Sequence, residues 1–239
     1  MSYYYENNNR GGFLSNIPVA TRNLIIINVL IWIMSALDKS GWMLSKFALF
    51  YPGSPFFHIW QPITHMFMHG GFWHVFFNMY TLFIFGSVLE RMWGPKKYLV
   101  FYFVTGLGAA ALHMGVQWIE SLVYMGQIAQ GSADAQTALH ILNYTPTVGA
   151  SGAIYGLLLG YAMLFPDSRL TLIFPPITLT AKWFVIIFAG IELVTGVMSV
   201  SSVNFGTGIA HFAHLGGMLF GWLLISYWKK KNEMYRYHD

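Results

Sequence analysis

The sequence predicts an all-α membrane protein, a polytopic bundle of six transmembrane helices. Three observations predict it. Of 239 residues, 56% are hydrophobic and only 9% are charged, where a soluble domain carries roughly 25% charged residues. Six segments are apolar over about the 20 residues that a helix needs to cross a bilayer core. The basic residues flank those segments instead of gathering on one face.

The segments fall near residues 22–38, 71–91, 96–117, 147–165, 182–201 and 207–228. Residues 1–21 read as a polar tail with no apolar signal-peptide core. Residues 22–228 read as the six-helix membrane domain, and 229–239 as a second, basic tail. Between spans two and three stand only Met92, Trp93, Gly94 and Pro95, so these two form a tight helical hairpin. Pro166, Pro175 and Pro176 mark the turn between spans four and five. The loop 39–70 is rich in Trp, Phe, Met and His but broken by Pro52, Pro55 and Pro62. It is expected to lie in or dip into the membrane interface. Loop 118–146 is expected to be part helix and part flexible.

Placing the N-terminus in the cytoplasm puts eleven of the thirteen Lys and Arg residues inside or at the inner boundary. Only Lys39 and Lys46 then lie outside, so both termini are expected to be cytoplasmic. The net charge of +4, with Lys229, Lys230, Lys231 and Arg236 following the last span, suits anionic lipid and excludes a nucleic-acid face. Without cysteine there is no disulfide framework, thiolate metal site or thiol nucleophile.

Polar residues inside membrane spans are costly unless they face the bundle interior or a wet cavity. Here they gather in three places. His74 and Asn78, at i and i+4, share one face of span two. Span four opens with Gly149-Ala150-Ser151-Gly152, with Tyr155 one turn on. Span six contains His211 and Ala213-His214-Leu215-Gly216-Gly217. Spans two, four and six all begin at the outer face, so His74, Asn78, Ser151 and His214 fall in the outer half of the bilayer. Gly217 and Gly221 give span six a small-residue face. Gly149, Gly152 and Gly156 do the same for span four, which would bring Ser151 and His214 within hydrogen-bond reach.

A serine hydroxyl needs a base to become a nucleophile, and imidazole suits that task near neutral pH. Ser151 and His214 therefore read as a Ser–His dyad. No carboxylate is positioned in the outer half to make a triad. Tyr155 would orient the imidazole by packing. The first turn of span four offers a free backbone N–H for an oxyanion, and Asn78 and His74 would add side-chain donors.

The HxxxN pattern of His74 and Asn78, the GxSG pattern of Gly149 to Gly152, and the AHLGG pattern of Ala213 to Gly217 with Gly221 following resemble the rhomboid family. They stand in the family's order over about residues 20–228. The resemblance implies an intramembrane serine endopeptidase of the basic six-span bacterial form, expected in a bacterial inner membrane. It implies Ser151 as nucleophile, His214 as general base, and His74, Asn78 and the Ser151 N–H as the oxyanion hole. Tyr155 falls where the family stacks a Tyr on its catalytic His. Glu90, with Arg91 and Gly94, resembles the family's acidic residue and loop at the inner end of span two. The implied partners are transmembrane protein substrates, admitted past span five, and the lipid bilayer. No cofactor and no metal are implied, and oligomeric state is not addressed. One departure stands out: Trp60-Gln61 replaces the Trp-Arg pair of many members, so no role passes to Gln61.

Two other readings remain open: a catalytically silent rhomboid-like binder of transmembrane segments, and a metal transporter lined by His65, His69, His74 and His211. The absence of HExxH and of an acidic ligand counts against the second. Glu192, near mid-depth on span five, has no partner visible in the sequence.

Overall fold

The computed structural model describes residues 13–172, 176–201 and 209–232. The first residues of the expected N-terminal tail, Pro175, the expected loop between spans five and six, and Arg236 lie outside the described residues.

Helix α1 (Val19–Leu37) starts after Pro18, earlier than residue 22 expected from hydropathy, because its first turn is capped from elsewhere. The buried Glu90 carboxylate accepts the backbone N–H groups of Ala20 (2.9 Å) and Thr21 (2.7 Å) and the Thr21 hydroxyl (2.8 Å). These are donors that a helix start leaves orphaned, and a negative charge there also suits the helix dipole. Arg91 donates to the Asn16 carbonyl beside it. Glu90→Ala should therefore lower stability by about 2–4 kcal/mol. The check is thermal unfolding of wild type and variant in detergent.

The loop after α1 holds two short helices, α2 (Trp42–Phe47) and α3 (Gln61–Thr64), and a 3₁₀ turn (His65–Phe67). Its Trp42, Ile59, Trp60 and Ile63 are exposed, while Ala48 to Tyr51, Met66 and Met68 are buried. Gln61 has a role after all. Fully buried, it accepts from Phe50 N–H (3.2 Å) and donates to the carbonyl of Phe56 (2.7 Å), tying both sides of the loop together without a charge.

Helix α4 (Phe72–Thr81) passes through a π-helical turn (Leu82–Gly86) into α5 (Ser87–Ala129). At Gly94, with φ 74° and ψ 163°, the helix breaks and Pro95 restarts it. The second arm folds back on the first, since a methyl on Gly86 would stand 2.6 Å from Tyr98 Oη. This is the expected hairpin of spans two and three. The second arm outruns its expected end: α5 continues to Ala129 and turns into α6 (Ala133–Tyr144). Much of the loop expected at 118–146 is thus a helical pair. It packs Tyr124, Ala135, Ala138 and Leu142 around Tyr51 of the first loop, where Tyr51 Oη meets Ser121 Oγ at 2.7 Å.

The remaining spans are α7 (Ser151–Leu164), α8 (Ala181–Ser201) and α9 (Ile209–Lys230). The turn between α7 and α8 is a small antiparallel hairpin, β1 (Arg169–Thr171) with β2 (Thr178–Thr180), in register Leu170 to Leu179. The core lies among α5, α7 and α9, where Phe101, Tyr102, Leu157 and Ile225 are buried. Outward, α1, α4 and α8 present Ile26, Leu30, Phe76, Phe77, Ile186, Leu193 and Val194 to the surroundings. An apolar exterior of that extent belongs to a protein whose outer solvent is lipid. The protein is an all-α integral membrane protein.

Candidate active site

The site forms where α4, α7 and α9 begin. The chain entering α7 is held on three sides. Leu49 and Thr147 exchange backbone hydrogen bonds of 2.9 and 2.8 Å, Gly149 N–H donates to the His65 carbonyl at 2.9 Å, and His113 Nε2 lies 3.0 Å from Thr147 Oγ1. Gly149 then adopts φ 130°, which a side chain would oppose, and Ser151 becomes the first residue of α7. Its N–H is one of those without an intrahelical acceptor.

Ser151 Oγ lies 2.9 Å from Nε2 of His214 on α9. Tyr155, one turn on from Ser151, stacks on the His214 ring with centroids 4.0 Å apart and planes 7° apart. The other side of that imidazole corrects the expectation of a dyad without a carboxylate. Glu192 of α8, exposed by only 7%, reaches into the site. Its Oε1 accepts from His214 Nδ1 at 2.9 Å and from Tyr155 Oη at 2.5 Å. Its Oε2 accepts from His211 Nδ1 at 2.5 Å, and Thr195 Oγ1 is 3.1 Å from the same nitrogen. A carboxylate accepts only, so the His214 proton sits on Nδ1 and Nε2 keeps a lone pair for the serine hydroxyl.

On α4, His74 lies against the turn into α7: a methyl on Gly149 would come 2.7 Å from His74 Nε2. Gly70 N–H points at His74 Nδ1 over a long 3.4 Å, which leaves the ring proton on Nε2, facing Gly149. Asn78 is buried, and its Nδ2 donor has no partner among the described residues. A buried amide donor left open is costly and suits a group that arrives only during a reaction.

His65 and His69 in the first loop are buried, and burial disfavours the charged imidazole in both. Burial pushes His65 down to about 4. Burial, then the neighbouring His74, pushes His69 down to about 4. His65 also lines a cavity of about 20 Å³ with Thr147, Gly149, Ser151 and Ala213, enough for about one water molecule. Among the described residues no set of His, Asp and Glu is arranged to hold a metal ion. His69 packs edge-on against His74 with centroids 5.0 Å apart, and His211 is engaged by Glu192.

Gly217 and Gly221 lie against α7, and their close approach sets its distance from α9. A methyl on Gly217 would meet the Gly152 carbonyl oxygen at 1.8 Å, and one on Gly221 would meet Gly156 Cα at 3.4 Å. Sequence reasoning missed Glu192, His211 and Thr195 as a connected group. The available signals were a single carboxylate in an apolar span and the i, i+3 spacing that puts Thr195 beside it.

The class that this fold and site define is a helical membrane bundle with a serine, an imidazole and a carboxylate gathered where its helices converge. The chain belongs to the rhomboid family, whose domain model matches residues 57–231, more than half of it. It is similar to the human presenilin-associated rhomboid-like protein, mitochondrial, at 28% identity over 178 residues, covering 70% of this chain and 39% of that protein. The mouse counterpart matches at the same identity and coverage. It is also similar to the rhomboid protease GlpG of Yersinia pestis (strain Pestoides F), at 23% identity over 213 residues, covering 89% of this chain and 63% of that one. The chain thus spans about two fifths of the length of the mitochondrial relatives and somewhat under two thirds of GlpG.

Proposed function

We propose that this protein is an intramembrane serine endopeptidase that cuts transmembrane segments of other membrane proteins. The observation that carries the reading is the 2.9 Å approach of Ser151 Oγ to His214 Nε2, with Tyr155 stacked on the ring.

The steps follow from the protons. Ser151 O–H gives its proton to His214 Nε2 as Oγ bonds to the substrate carbonyl carbon. The carbonyl oxygen becomes an oxyanion, met by Ser151 N–H, the Asn78 amide and His74 Nε2–H. The His214 imidazolium then protonates the departing amine, the C–N bond breaks and an ester on Ser151 remains. Water, deprotonated by the same imidazole, hydrolyses that ester. Gly149, Gly217 and Gly221 support the site by letting backbones approach. The basic-residue distribution favours both termini on the inner side of the membrane and the site in its outer half, and the six-span form fits a bacterial inner membrane.

The test uses purified full chain in detergent with a labelled transmembrane substrate weakened by helix-breaking residues. Cleavage should be stopped by serine-reactive inhibitors and by Ser151→Ala, and should persist with chelators. Chelator-sensitive cleavage surviving Ser151→Ala would instead support the metal reading. Absence of cleavage across such substrates would support the silent binder.

A further inference from the structure

We infer that Glu192 is a positioning residue for His214, completing a Ser151–His214–Glu192 relay whose third member is carried by α8. The inference rests on the protease reading and extends it beyond a two-residue mechanism.

The geometry has three parts. First, Glu192 Oε1 meets His214 Nδ1 at 2.9 Å on the face opposite Ser151, so serine, imidazole and carboxylate lie in sequence. Second, the same oxygen holds the Tyr155 hydroxyl, so one carboxylate fixes both the ring and the aromatic stacked on it. Third, Oε2 is occupied by His211, itself beside Thr195, which stops the carboxylate from rotating away. A carboxylate in an apolar span is retained only where such partners repay its desolvation.

Glu192 does two things in this arrangement. It keeps the His214 proton on Nδ1, so that Nε2 is ready to accept from Ser151. It also faces the imidazolium that forms when that proton arrives, stabilising the charge without taking the proton itself. The bonds broken and formed remain those of the serine mechanism.

The location adds a consequence. Most of the α8 surface is apolar and outward-facing, and among its described side chains Ala181, Val185 and Glu192 are the buried ones. Glu192 is therefore a buried polar tie between α8 and the helices carrying the serine and histidine, beside the Thr195–His211 contact. Displacement of α8 would withdraw the carboxylate from His214, so seating of this helix and competence of the base are coupled.

The experiment compares full-length wild type, Glu192→Gln and Glu192→Asp for kcat, KM and thermal unfolding in detergent. Gln matches the shape and lacks the charge. It should lower kcat on the order of 10²–10⁴-fold, with KM within about threefold and unfolding near that of wild type. Asp, one methylene shorter, should restore part of the loss. If Gln fails to fold, folded Asp decides: a kcat about tenfold below wild type supports the relay, and wild-type kcat overturns it. Glu192→Gln with kcat within about threefold of wild type also overturns it while leaving the protease reading intact. A wild type that cleaves no substrate overturns both.

Discussion

Alanine at Ser151 and alanine at His214 should each lower kcat on the order of 10³–10⁶-fold, and the double variant should be no slower than the slower single variant. The reason is the 2.9 Å contact between the two side chains. A serine without its base is a neutral alcohol, and a base without its serine has no nucleophile to activate, so the second deletion removes nothing that still works. Independent contributions would multiply instead. The residual rate should come from the Ser151 N–H, Asn78 and His74 Nε2–H, which do not need the pair in order to hold an oxyanion. Cleavage kinetics of the three variants, on preparations with matched thermal unfolding, check this. Multiplying losses would contradict a shared step.

Gly217→Ala carries the second large effect, from a residue that performs no chemistry. The added methyl would stand 1.8 Å from the Gly152 carbonyl oxygen, which is backbone and cannot rotate aside. Helix α9 must move from α7 directly below Ser151 and His214. Overpacking of this kind costs about 1–3 kcal/mol, visible as lower thermal stability. The catalytic loss should be larger than that cost suggests, at least about 10²-fold in kcat, because a displacement near 1 Å breaks an attack geometry. Gly221→Ala is the comparison. Its methyl would stand 3.4 Å from Gly156 Cα and 3.3 Å from the Phe101 ring, and it should be much milder in both measurements. Equal behaviour of the two variants would show that α7–α9 spacing does not control the site.

These predictions use residues that differ in how plainly the sequence announced them. The spans were legible because lipid demands long apolar helices with internally satisfied backbones, and the Gly94-Pro95 break was legible because few other pairs turn a helix so sharply. Ser151, His214, His74 and Asn78 were legible because each sits in a short local pattern at a helix start. Glu192 was not. Its partners lie 19, 22 and 37 residues away on other helices, and counting from span ends gives depth without the register between neighbours. Gln61 was passed over because its value comes from the backbone groups it reaches in a folded loop, which no local pattern encodes. The extension of α5 to Ala129 was hidden for a related reason. Its polar-dotted sequence reads as loop until Tyr51 and α6 supply the surface that it packs against.

The most direct test of the proposal that His214 activates Ser151 is intact-protein and peptide mass spectrometry after brief exposure to a fluorophosphonate, with wild type beside His214→Ala. A single adduct on Ser151 in wild type, formed at least about 10²-fold more slowly in the histidine variant, is the predicted result. Labelling of Ser151 at the same rate in both proteins, or no adduct on Ser151 at all, would contradict the account.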